Sequence, residues 1–156
     1  MTSATLNEIK KELLHLPPEK VVEHCLRLIR YKKENKELLS YLLFEAQDEH
    51  AYIENVKKEI DEQFTTVPKT TIYLAKKTLR KILRNTNKYI KYSGSKQTEA
   101  ELRLHFCKKL QESGISITRY SILNNMYEQQ LVKINAAIAK LHEDLQYDYQ
   151  KELEKL

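Results

Sequence analysis

Only two glycines, Gly94 and Gly114, and three prolines interrupt a chain of 156 residues. Sandwiches, barrels and doubly wound sheets turn the chain often, and glycine and proline make most of those turns. So few breakers, among so much Leu, Lys, Glu and Gln, predict an all-α fold. Two glycines also leave no glycine-rich loop of the kind that cradles nucleotide phosphates. The length suits a single helical domain over 1–156. A chain of this size buries roughly 70% of its unfolded surface, so it needs no disulfide or metal to fold.

The helices follow from apolar spacing and end signals. Thr5 and Glu8 stand three apart, as in a capping box, before Leu6, Ile9, Leu13 and Leu14. Leu16-Pro17-Pro18 ends that helix, and Val21, Val22, Cys25, Leu28 and Ile29 form the face of the next. A bend is expected near Asn35, ahead of Leu38, Leu39, Leu42 and Leu43. Asp48 is placed to cap a helix whose face is Ile53, Val56, Ile60 and Phe64. Thr70 or Thr71 opens a basic helix that runs to about Tyr92, before Ser93-Gly94-Ser95. Thr98 and Glu101 form a second capping-box pair, followed by Leu102, Phe106 and Leu110. Ser113-Gly114 closes that helix with a glycine C-cap.

From Thr118 to Leu156 no breaker occurs, which predicts one long C-terminal helix. Its length would be ~58 Å at 1.5 Å per residue, more than the roughly 40 Å diameter of a compact domain this size. Leu131, Ile134, Ile138, Leu141 and Leu145 step by three and four along it. They form a heptad seam suited to a second copy of the chain. Residues 146–156 are expected to be mobile, or ordered by a partner. The count comes to six or seven helices, in a bundle or an irregular helical array.

Charge distribution is the most informative functional feature. Lys69, Lys76, Lys77, Arg80, Lys81, Arg84, Lys88, Lys91 and Lys96 fall between Gln63 and Thr98, where no acidic residue occurs. Taking these nine from the 27 basic residues leaves 18 against 22 acidic ones, a net of −4 elsewhere. Lys77, Arg80, Lys81, Arg84, Lys88 and Lys91 share a helical stripe about 100° wide, with Tyr73 on it and Tyr92 beside it. Like charges at i,i+4 repel by a few tenths of a kcal/mol per pair, so a counter-charge is expected. Two sources are open. The commoner arrangement is internal pairing, with Glu54, Asp61 and Glu62 or with Glu143, Asp144 and Asp148. The other is a nucleic-acid backbone or similar polyanion, with a tyrosine stacked on an unpaired base. Ser93-Gly94-Ser95-Lys96 loosely resembles a phosphate loop but lacks its first glycine, and reads as a turn.

Catalytic and metal signatures are absent. The only Glu-x-x-His spacing is Glu12 with His15, and there is no HExxH, no CxxC pair and no Gly-x-Ser-x-Gly elbow. No cofactor and no metal are expected, and the chain reads as non-enzymatic. Cys25 and Cys107 read as reduced, buried thiols. The longest apolar run, Leu38 to Phe44, is broken by Ser40 and falls far short of the ~20 residues that span a bilayer. Met1 to Lys10 has no apolar leader, which points to a cytoplasmic protein without a membrane partner.

Leu13-Leu14-His15-Leu16-Pro17-Pro18-Glu19-Lys20-Val21-Val22, the run Phe44 to Phe64, and Tyr92-Ser93-Gly94-Ser95-Lys96-Gln97-Thr98-Glu99 together resemble a group of uncharacterised bacterial all-helical proteins. The resemblance covers most of the chain. It implies a bacterial, cytosolic source and transfers no activity and no site residues. The leading functional expectation is a non-catalytic protein–protein interaction or scaffold module, joined to a second copy through the Leu131–Leu145 seam. The alternative is a nucleic-acid-binding protein using the basic helix Lys69–Lys91, with Lys96 and the tyrosines Tyr73 and Tyr92 as neighbours.

Overall fold

Thr5 opens the first helix in the way its spacing predicts. The Glu8 amide donates to the Thr5 hydroxyl oxygen at 3.3 Å, and the Thr5 amide donates to the Glu8 carboxylate at 2.7 Å. The same local logic runs through a computed structural model that describes residues 2–156. Among the described residues there are eight α-helices and no strand.

The chain divides into two compact units, the residues up to Phe44 and Glu45–Leu156. The N-terminal unit holds α1 (Leu6–His15), α2 (Pro18–Tyr31) and α3 (Lys33–Ser40). Pro17 and Pro18 separate α1 from α2, with Pro18 in the first turn of α2. The bend expected near Asn35 lies at Lys32, whose extended backbone ends α2. Asn35 stabilises it by donating its side-chain amide to the Leu28 carbonyl at 2.8 Å. A π-helical turn, Tyr41–Glu45, follows α3. None of the three helices contains a buried residue.

The C-terminal unit contains the core. Its helices are α4 (Glu49–Thr65), α5 (Ile72–Ser93), α6 (Lys96–Glu112), α7 (Ser121–Ile138) and α8 (Glu143–Glu154). Asp48 caps α4 by accepting from the Ala51 amide at 3.0 Å. Helix α6 touches α4, α5, α7 and α8. Leu102, Phe106, Cys107 and Leu110 of α6 are buried with Ile60, Leu79, Ile82, Leu123 and Ile134 from its neighbours. The Phe64 and Phe106 rings meet at 5.5 Å between centroids.

Two sequence signals resolve differently here. Ser95, not Thr98, caps α6, accepting from the Thr98 amide at 3.4 Å. Thr98 is buried one turn inside and donates its hydroxyl to Glu49. Glu101 turns away to Lys57 and Tyr149, so the Thr98–Glu101 box does not form. The long C-terminal helix is also broken. Helix α7 ends at Ile138 and α8 begins at Glu143, which brings the total to eight. The physical reason is that Gln146 supplies donors to the carbonyls freed by the break, reaching Leu141 at 2.7 Å and Ala139 at 3.3 Å. Helix α8 then folds back on α6, where the Tyr149 hydroxyl donates to Glu101 at 2.6 Å. Within the segment 146–156, Tyr149 and the Leu156 carbonyl make hydrogen bonds to α6.

The expected oligomer seam places Leu131, Ile134 and Ile138 on α7, Leu141 in the break and Leu145 on α8. Ile134 and Ile138 are buried inside the chain, and Leu131, Leu141 and Leu145 are half-buried. Its central residues serve the protein's own core. Of the two free cysteines only Cys107 is buried, and burial pushes its thiol up to about 12. Cys25 is half-buried.

Candidate nucleic-acid interface

Helix α5 places its two faces by simple periodicity. Ala75, Leu79, Ile82, Thr86 and Ile90 recur at three and four residues and are buried. The Thr86 hydroxyl avoids an orphaned donor by bonding the Ile82 carbonyl at 3.0 Å. The opposite face exposes Lys77, Arg80, Lys81, Arg84 and Lys91. Lys88 is half-buried, with its ammonium 5.1 Å from the Tyr89 ring centroid. The helix has seven basic residues and no acidic one.

Internal pairing does not neutralise the five exposed cations. Among the described residues, Lys77, Arg80, Lys81, Arg84 and Lys91 have no ion pair and no hydrogen-bonded side-chain partner. The acids expected to face them are engaged elsewhere or stand apart. Glu54 pairs with Lys57 at 2.8 Å, Asp61 with His105 at 2.6 Å and Lys109 at 3.5 Å, and Asp144 with His142 at 3.6 Å. Glu62, Glu143 and Asp148 are exposed and make no ion pair to α5. The cause lies in the contact between α4 and α5, where neutral side chains of α5 meet the polar groups of α4. Tyr89 donates to Glu59 at 2.7 Å, Asn85 to Gln63 at 3.1 Å, and Tyr52 to the Tyr89 carbonyl at 3.0 Å. Tyrosine and asparagine satisfy the polar edge of α4, and Lys77, Arg80, Lys81, Arg84 and Lys91 are turned outward.

The stripe ends at the α5–α6 turn. Gly94 adopts φ 68°, a left-handed conformation that closes α5. Glu49 accepts hydrogen bonds from Ser93 and Thr98, so the turn is tied to α4 as a structural element. A cleft of about 530 Å³ beside it is bordered by Lys91, Lys96, Arg103 and Lys133, with Glu99 among them. Glu99 answers two of these cations, meeting Lys96 at 2.7 Å and Arg103 at 3.0 Å. Burial opposes ionisation of Glu99, but the hydrogen bonds from Lys96 and Arg103 outweigh it and hold the carboxyl below its ordinary value. Lys96 is therefore paired, unlike Lys91.

The two tyrosines named from sequence differ. Tyr73 is 64% exposed at the start of the stripe. Tyr92 is half-buried, with its ring edge-on to Tyr89 at 6.2 Å. Sequence reasoning did not place Arg119 or Tyr120 near the stripe. They share a second cleft with Tyr73 and Lys76, and no local pattern links positions so far apart in the chain.

Among the described residues no group of three or more His, Cys, Asp or Glu side chains is arranged to hold a metal ion. No helix there is long and apolar enough to cross a membrane. No known protein family, curated protein or solved structure matches the chain. The functional reading therefore stands on how α5 and its surroundings are arranged.

Proposed function

We propose that this protein binds nucleic acid without catalysis, holding the phosphate backbone along the outer face of α5. The observation that carries the reading is the set of five exposed cations, Lys77, Arg80, Lys81, Arg84 and Lys91, with no counter-charge among the described residues. Like charges held on one rigid face raise the free energy of the unbound chain, and a polyanion relieves that repulsion while releasing its own counterions. The experiment is a titration of labelled single- and double-stranded DNA and RNA at two salt concentrations. Five contacts to a single strand predict affinity that falls ~100-fold between about 50 and 200 mM salt. Absence of binding to any of these probes at the lower salt would sink the proposal.

A second reading, a protein–protein interaction module, is favoured by the N-terminal unit. Leu6, Leu14, Val22, Leu28, Leu43 and Phe44 are exposed there, Leu6 to 84% and Leu14 to 74%. Large apolar side chains exposed in such number on one unit are the material of an interaction site. A second copy of the chain is the simplest partner. Sedimentation should then show mass rising with concentration, and Leu14→Glu with Leu28→Glu should abolish the rise. A wild-type chain that stays monomeric throughout the range rejects self-association.

A further inference from the structure

We propose that the cleft between Tyr73 and Tyr120 accepts an unstacked nucleobase, so that the ligand of α5 is single-stranded nucleic acid. The inference rests on the backbone-binding reading of α5 and adds to it what the bases do.

The first turn of α5 and the residues leading into α7 enclose a cleft of about 360 Å³, within the range typical of small-ligand sites. Ile72, Tyr73 and Lys76 form one side, and Arg119, Tyr120 and Ile122 the other. No acidic residue lines it. The Lys76 ammonium lies 5.5 Å from the Tyr73 ring centroid, and the Arg119 guanidinium carbon lies 5.7 Å from that of Tyr120. Among the described residues neither tyrosine hydroxyl has a hydrogen-bond partner. Two aromatic rings, each beside a cation, thus border one apolar space and are committed to little else. Aromatic rings give a base its stacking platform, the guanidinium plane gives a second, and the cations meet the flanking phosphates.

Position on the helix connects this cleft to the stripe. Tyr73 precedes Lys77 by one turn on the same face, and the face continues through Arg80 and Arg84 to Lys91. The distance from Tyr73 to Lys91 along the axis is ~27 Å. A backbone lying on the lysines and arginines therefore passes the mouth of the cleft. In a duplex the bases are stacked and paired, and none can enter without being flipped out of the stack. In a single strand a base is free to turn in, which makes the cleft a selector for single strands.

The test compares labelled oligothymidylate with inorganic polyphosphate, which carries the charge but has no bases, and uses duplex DNA and oligouridylate as further arms. Tyr73→Ala and Tyr120→Ala are expected to weaken oligothymidylate about 5- to 100-fold and to leave polyphosphate unchanged. Tyr73→Phe and Tyr120→Phe should keep most of the affinity, because stacking uses the ring and not the hydroxyl. Tyr73→Trp introduces the only tryptophan of the chain. Its emission should change with oligothymidylate and not with polyphosphate, a direct readout that does not depend on how well Tyr120→Ala folds. The oligouridylate arm separates RNA from DNA as the preferred strand. If wild type and the tyrosine variants bind oligothymidylate and polyphosphate alike, or if duplex binds more tightly than single strand, the base cleft is wrong and backbone binding by α5 survives. If neither probe binds, both fall.

Discussion

Replacing Arg80 and Arg84 together with glutamate should weaken single-strand binding roughly 60-fold at about 50 mM salt and lower the salt slope by about 1.4. Each backbone contact on a single strand contributes about 0.7 to the slope of log affinity against log salt. Two lost contacts remove both, and the difference grows as salt falls from 1 M, where the electrostatic contribution vanishes. Both side chains are exposed, and neither makes an ion pair or hydrogen bond among the described residues, so the fold loses nothing when they change. Exposed substitutions of this kind move stability within about 0.5 kcal/mol. A thermal melt should therefore be unchanged while the titration collapses. Arg27→Glu with Arg30→Glu is the charge-matched control, since both are exposed on α2. Equal losses from the two pairs would mean that overall charge, not the α5 face, governs binding.

Arg103→Met should destabilise the C-terminal unit by about 3–5 kcal/mol, the usual cost of breaking a buried ion pair by removing one partner. Arg103 is only 5% exposed. Its Nε and one terminal nitrogen donate to Glu99 at 3.1 and 3.0 Å. The other terminal nitrogen donates to Asn87 at 2.9 Å and to Gln130 at 2.8 Å. One guanidinium thus ties α5, α6 and α7 together and satisfies Gln130, which is 1% exposed. Methionine fills similar space but leaves Gln130 and part of Glu99 without donors. Arg103→Lys should rescue little, because an ammonium lacks the planar fork that reaches three partners at once. Urea denaturation should report a lower midpoint at an unchanged slope, and the melting temperature should drop by roughly 13–21 °C. A loss below about 1 kcal/mol would mean that the network is not needed to hold these helices together.

Local signals in the chain were legible because their physics is local. Thr5 with Glu8, Asp48 ahead of Ala51 and glycine at 94 each act within a turn or two. Failures came where two local solutions compete or where distant groups intervene. Thr98 and Glu101 have capping-box spacing, but Ser95 reaches the free amides first and Glu101 is drawn to Lys57 and Tyr149. The break at 139–142 has no glycine or proline to announce it. The amide of Gln146, four to seven residues downstream, makes it tolerable. Arg103 looks like any cation on a helical surface until α5 and α7 close over it. The seam from Leu131 to Leu145 has the spacing of an interface, and spacing does not tell an interface with another molecule from one within the chain.

The sequence by itself determined that the chain is helical, where most helices begin, and that α5 separates apolar from basic residues. Those properties depend on side-chain periodicity and on the few breakers, which act over one or two turns. Only the tertiary structure decided that, among the described residues, the acids of α4 and α8 make no ion pair with Lys77, Arg80, Lys81, Arg84 and Lys91, and that Tyr120 and Arg119 come to stand beside Tyr73 and Lys76. Those outcomes depend on which helix packs against which. Such packing is chosen by how whole faces bury together, and no short stretch of residues encodes it.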